Sequence, residues 1–215
     1  MVNSAIALTT LETVKEELNI NDTSKDNLLS RHINQASQFI IDQLDRDIVK
    51  TVYTNEGYTG TDTPKLTLRQ YPIVSIEKII ENDVELIENK DYKLTRQGKK
   101  QGMVHRLYFN WIKYNRTFGQ LSKTFQNAAD LTITVDYTAG YVTPQQAIDD
   151  EAESRDLPYD IESLAIKLVA VAYSKYCTGT QGQSNYKAGS RTISWDSVIN
   201  EHDMRIIDKH KRKWY

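Results

Sequence analysis

Leu157-Pro-Tyr-Asp-Ile-Glu-Ser-Leu-Ala-Ile-Lys-Leu-Val-Ala-Val-Ala-Tyr173 reads as an amphipathic helix opened by a proline, resuming a helical pattern that breaks off more than a hundred residues earlier. Pro158 suits the first helical turn, where its missing N–H would have no partner, and Asp160 beside it complements the positive end of the helix dipole. Apolar residues recur at Ile161, Leu164, Ala165, Leu168, Ala172 and Tyr176, the period of a buried helix face. The earlier pattern lies near the N-terminus. Thr9-Thr-Leu-Glu12 has capping-box spacing and opens a short helix to about Asn19, with Leu11, Val14 and Leu18 as a narrow stripe. Such a helix is too short to be stable alone and needs a neighbour. A longer helix from about Lys25 to Leu44 carries Leu29, Ile33, Ala36, Ile40 and Leu44 on one face and supplies that neighbour.

Between these helices the period changes. Val49 to Tyr53, Lys65 to Leu68, Val74 to Ile80, Tyr92 to Leu94, Met103 to Phe109 and Leu131 to Tyr137 are short β-branched or aromatic runs separated by Gly, Asn and Asp. They predict antiparallel strands. Asn82-Asp83 reads as a hairpin turn, and Gln97-Gly-Lys-Lys-Gln-Gly102 as a second, long, basic and mobile one. Leu131, Ile133, Val135 and Tyr137 alternate onto one side of a half-buried strand. Gln145 to Arg155 reads as a polar, acidic connector. The expected fold is therefore α+β: an α-helical core of about four helices carrying an inserted antiparallel β subdomain. Its parts are N-terminal core helices over 1–48, the β subdomain over 49–143, and C-terminal helices over 144–215 with a flexible loop at 179–194.

Composition bounds the function. The chain has 215 residues, 39% of them hydrophobic, enough for an ordinary core. A net charge of −2 and a pI near 6.1 argue against an overall electrostatic grip on nucleic acid. Cys177 is the only cysteine, so no intramolecular disulfide is expected. No run is long and apolar enough to span a membrane, and the N-terminus lacks the pattern of a secretory signal, which points to the cytoplasm as the place of synthesis.

Catalytic patterns find little support. His32, His105, His202 and His210 include no i, i+4 pair, and no metal site or cofactor is expected. His32, whose neighbours Arg31 and Asn34 are polar, reads as a surface histidine, and Cys177 as a buried or partly buried inert thiol. The Gly179–Ser190 stretch lacks phosphate-loop spacing and follows a helix. Asp149-Asp-Glu-Ala-Glu153 reads as a solvated acidic face, without the burial that shifts a pKa.

The C-terminus offers two readings. A last helix from about Asn200 places Met204, Ile207, Lys211 and Trp214 along one stripe. The simpler reading packs that stripe on the chain's own core. The sharper one makes it a docking tail, with Trp214 and Tyr215 as partner anchors. Lys209-His-Lys-Arg-Lys213 and the loop lysines Lys99 and Lys100 are solvated cations on the simpler reading and DNA contacts on the other.

Taken in order, Thr9-Leu11-Lys15-Leu18, Leu28-Leu29-Ile33-Ala36-Ile40-Ile41, Leu66-Leu68-Arg69-Tyr71-Pro72-Ile73-Val74-Ser75-Ile76, Val135-Asp-Tyr-Thr-Ala-Gly-Tyr141 and Leu157-Pro-Tyr-Asp-Ile161 resemble the head-tail connector proteins of tailed bacteriophages, also called adaptor or head-completion proteins. Gln97 to Gln126 and Gly179 to Ser190 depart from the pattern. The resemblance implies a noncatalytic virion protein that joins copies of itself into a dodecameric ring beneath the portal after packaging. It further implies a ring that extends the channel for double-stranded DNA without binding it tightly and presents a docking surface to a stopper or tail-completion protein. Rival readings are another neck component, such as a stopper or tail terminator; a nucleic-acid-binding protein using the basic C-terminal tail and the Lys99-Lys100 loop; and a hydrolase for which the sequence offers no motif.

Overall fold

The computed structural model describes residues 1–112, 133–177 and 199–212, which divide into two compact units. One holds Met1–Val49 and the described residues from Tyr141 on; the other is Lys50–Gly140.

The first unit is helical. Helices α1 (Leu11–Glu17) and α2 (Asp26–Leu44) lead out, and α4 (Pro144–Asp149), α5 (Tyr159–Cys177) and α6 (Glu201–His210) follow the return. Leu29, Ile33, Ala36, Ile40 and Leu44 of α2 are fully buried against Ile161, Leu164, Ala165, Leu168 and Val169 of α5. Burying one such side chain contributes roughly 1.5–3 kcal/mol, so this seam is the main stabiliser of the unit. Val14 fixes α1 to it, with Leu11 and Leu18 partly covered. The seam exists only because the chain comes back to where it left. The Tyr141 N–H donates to the Ile48 carbonyl at 2.8 Å, and Val49 and Tyr141 form a bridge.

The second unit holds β1 (Thr51–Tyr58), β2 (Lys65–Thr67), β3 (Ile73–Glu81), β4 (Val84–Glu85), β5 (Tyr92–Lys93), α3 (Arg96–Gln101), β6 (Met103–Arg106) and β7 (Ile133–Ala139). They form a four-stranded sheet in the order β1-β7-β3-β4 and a three-stranded sheet in the order β2-β6-β5, every pair antiparallel. The sheets share one core around Leu66, Ile79, Val104, Trp111, Ile133, Val135 and Tyr137. Arg106 of β6 ties them together: its guanidinium sits 3.0 Å from the Glu81 carboxylate of β3 and 5.6 Å from the Trp111 ring. With side chains only 11% and 6% exposed, this pair loses most of its hydration and depends on the added hydrogen bond from Arg106 to the Asp91 carbonyl.

A bulge in β1 places a carboxylate on the inner face. Tyr53 pairs with Tyr137 but Glu56 with Val135, so residues an odd number apart share one side. Glu56 then accepts hydrogen bonds from the hydroxyls of Tyr58 and Tyr137 and from Arg69, whose guanidinium lies 4.9 Å from the Tyr58 ring. Burial pushes the Glu56 carboxyl up, but these three donors outweigh it and hold it below its ordinary value; burial and the same carboxylate drive both tyrosines strongly upward. The result is a charged clasp joining β1, β7 and the Arg69 segment.

Several expectations are corrected. The Thr9 cap moves by one residue: Thr10 is the N-cap and accepts from the Thr13 N–H. Pro158 stands just before α5, its carbonyl accepting from Ile161 and Glu162. The supposed hairpin at Gln97–Gly102 is helix α3, capped by Thr95 and ended by Gly102 at φ +71°. A Cβ on Gly98 would collide with the Met103 carbonyl, so this short helix packs at backbone distance on β6. The acidic connector begins as a helix, α4, which Thr143 and Gln146 close with a capping box. Tyr176 is 42% exposed, and Val169 takes the inward place assigned to it. The Asn82-Asp83 hairpin turn forms as expected, both residues at positive φ. Leu131 and the 179–194 loop lie outside the described residues.

Ile40→Ala and Leu168→Ala should each cost about 2–5 kcal/mol in urea unfolding, as cavities in the α2–α5 seam. Glu56→Gln should cost about 1–3 kcal/mol at neutral pH. Because the native Glu56 value is depressed, its contribution is present above the unfolded carboxylate range and lost as pH falls through the lower native value. Wild type should therefore lose stability below pH about 4.5 more steeply than Glu56→Gln, and identical acid profiles would contradict the clasp.

Candidate functional site

Helix α6 carries Met204 and Ile207 of the residues expected to meet a partner, and Lys211 follows as its C-cap. Asn200 opens it with a capping box shared with Asp203, whose carboxylate also takes the Lys167 ammonium at 2.5 Å. Burial works to raise Asp203, but Lys167 and the Asn200 N–H hold it below its ordinary value. At the other end Lys209 lies 2.7 Å and His210 3.0 Å from Asp160 in the first turn of α5. Burial opposes charge on Asp160 too, and is outweighed by those two partners, so its pKa falls. Cations at the end of α6 and an acid at the start of α5 each favour their own helix dipole and also each other. Arg46 donates to the His210 carbonyl at 2.8 Å, and the Arg212 N–H to the Leu44 carbonyl at 3.0 Å.

This docking rotates the helix away from the expected stripe. Asp203, Ile206, Ile207 and His210 face inward, with Ile207 1% exposed, whereas Met204 is 41% exposed and Lys211 lies outside. Met204, Ile207 and Lys211 thus do not form one face: Ile207 serves the chain's own core. Trp214 and Tyr215 lie outside the described residues, as does Trp195. Within the basic run, Lys209 and His210 are engaged by Asp160.

Other predicted residues are scattered. Lys99 donates to the Val74 carbonyl at 3.2 Å from α3, and Lys100 is exposed on the same helix. His32 is 4% exposed, not a surface residue, because the buried arc of α2 widens to include Ser30, His32 and Ser37. Burial lowers its pKa, and its Nδ1 lies 3.4 Å from the Gln35 amide oxygen. Cys177 is exposed, since the last turn of α5 passes beyond the core. Asp149, Asp150 and Glu151 are exposed, as expected for a solvated acidic segment.

Two surface features of the β unit escaped the sequence reading. Lys65, His105 and Lys93 are directly opposed across β2, β6 and β5, and so share one face. Beyond β6, Trp111 is wholly buried while Tyr108 and Phe109, in the turn it anchors, are 91% and 70% exposed, Tyr108 at φ +65°. Strand parity could have placed Leu66 inward and Lys65 outward, but only the register brings three strands' residues into one row.

The model of the phage gp6-like head-tail connector proteins matches residues 8–103, which span α1, α2 and the β unit as far as the start of β6. No curated protein matches. Among solved structures, a chain in the neck of an empty gene transfer agent particle, computed with C6 symmetry, aligns over 100% of this chain and 97% of its own, at 12% identity and TM-score 0.51. A chain in the virion of a native gene transfer agent particle aligns over 100% and 94%, at 11% identity and TM-score 0.51. At such identities these two speak for the fold, including the return to α5 and α6 beyond the matched residues. The matched family, the phage head-tail connector proteins, is the one that the order of motifs in the sequence resembles.

Proposed function

We propose that the chain is a noncatalytic structural protein of a phage neck, forming a ring under the portal after DNA packaging, extending the DNA channel and offering a docking surface to the tail or to the next neck protein. The observation that carries this reading is the family match over residues 8–103. A solved structure of the same fold, from the neck of a gene transfer agent particle, supports it, as does a chain whose mild acidity suits passage of DNA over a grip on it. The protein would be made in the host bacterial cytoplasm and reside in the virion at the head–tail junction. Its partners would be further copies of itself, the portal protein, and a stopper or tail-completion protein.

A ring subunit needs two different lateral surfaces that meet head to tail. On α6 the inner face is consumed by the fold, which leaves the outward side around Met204 and Lys211, with Trp214 and Tyr215 beyond, as the candidate portal contact. Met204→Glu should leave stability within about 0.5 kcal/mol of wild type, as exposed substitutions do. Ile207→Ala should unfold the protein more easily, by about 2–5 kcal/mol. Native mass spectrometry of the full chain mixed with the portal ring should then show a ring-sized increment for wild type and a reduced one for Met204→Glu. No increment from folded wild type would refute the connector reading; an undiminished one for Met204→Glu would refute the outward α6 contact alone.

A further inference from the structure

We infer that the outer face of the three-stranded sheet is a contact surface for the phosphate backbone of double-stranded DNA, centred on Lys65, His105 and Lys93. The inference rests on the connector reading for the presence of DNA and adds the face that meets it. Lys65 and Lys93 are exposed and both stand directly opposite His105, so two ammonium groups flank an imidazole across three adjacent strands. Among the described residues no carboxylate forms an ion pair with any of the three. Cations without a carboxylate partner on an exposed sheet face fit a polyanion.

The surroundings sharpen the charge. Residues 90–106 contain Lys90, Lys93, Arg96, Lys99, Lys100 and Arg106 against a single acid, Asp91. That acid is drawn into the unit's own contacts, accepting from the Ile87 N–H at 2.8 Å and lying 4.0 Å from Arg106. Arg106 itself turns to the opposite face, toward Glu81. Lys65 and Lys93 stay outside, with Arg96 and Lys100 exposed on the adjoining helix. In a chain of net charge −2 this is a local positive field, suited to loose, salt-sensitive contact that lets a duplex slide. The Lys65–His105–Lys93 row replaces the basic C-terminal run as the place to look, since Lys209 and His210 are held by Asp160.

The test uses the full chain and a fluorescein-labelled duplex of mixed sequence, with anisotropy followed as salt is raised. Wild type should bind at low salt, and the double variant Lys65→Gln/Lys93→Gln should lose about two units of the slope of log K against log salt, at ~0.9 per phosphate contact. A control of equal net charge, Lys25→Gln/Lys78→Gln, should keep the wild-type slope. The row variant should remain folded, with a melting temperature close to wild type, as exposed substitutions leave it. Absence of duplex affinity at the lowest salt, or equal loss in both variants, overturns the inference. So does loss of portal assembly by the row variant with DNA affinity unchanged, which would assign the face to a protein partner. Wild type that fails to join the portal defeats the connector reading instead, and the slopes still decide the DNA face.

Discussion

The helical unit depends on the contact between α2 and α5, two helices that the chain can bring together only by returning, after the whole β unit, to the point where it left. The Tyr141–Ile48 hydrogen bond and the Val49–Tyr141 bridge mark that point. Everything helical hangs on the closure. α1 has seven residues and could not persist alone, and α6 docks onto α5 at Lys167 and Asp160. The insertion must therefore fold so that its ends come back together, and its last strand does this. β7 lies between β1 and β3 at the centre of the larger sheet, so the segment that ends the insertion also completes it.

Buried charge sets the details of the β unit. The β1 bulge turns Glu56 inward, where two tyrosines and Arg69 satisfy it; Arg106 and Glu81 do the same work between the two sheets. Breaking either set would leave a charge without hydration or partner, a larger penalty than the pair's own net contribution. Such groups specify which strands meet more than they stabilise the sum. By contrast, Lys65 and Lys93 stay outside with no carboxylate paired to them among the described residues.

Much of this was legible in the residues. The α2 face came through whole because Leu29, Ile33, Ala36, Ile40 and Leu44 keep a clean helical period, and the alternation of Ile133, Val135 and Tyr137 announced a half-buried strand. α3 was missed because two glycines in six residues read as a turn; what makes the helix is a threonine cap, a left-handed Gly102 and the close approach of Gly98 to β6. α4 left a signal that went unread, Thr143-Pro-Gln-Gln146, a capping box with proline at the first position. His32 was placed on the wrong side of its helix because a buried arc's width depends on what packs against it, which a single sequence does not encode locally. The Lys65–His105–Lys93 row was illegible for the same reason: register is a property of pairs of strands.

The matched residues and the fold adjoin: α1, α2 and the early β unit match the connector family's model, and α5 and α6 complete the helical unit. The most direct test is cryo-electron microscopy of the head–tail junction in purified particles. The account predicts a ring of copies beneath the portal, each fitted by the α1–α2–α5–α6 unit; a junction resolved to secondary structure with no such repeat would contradict it.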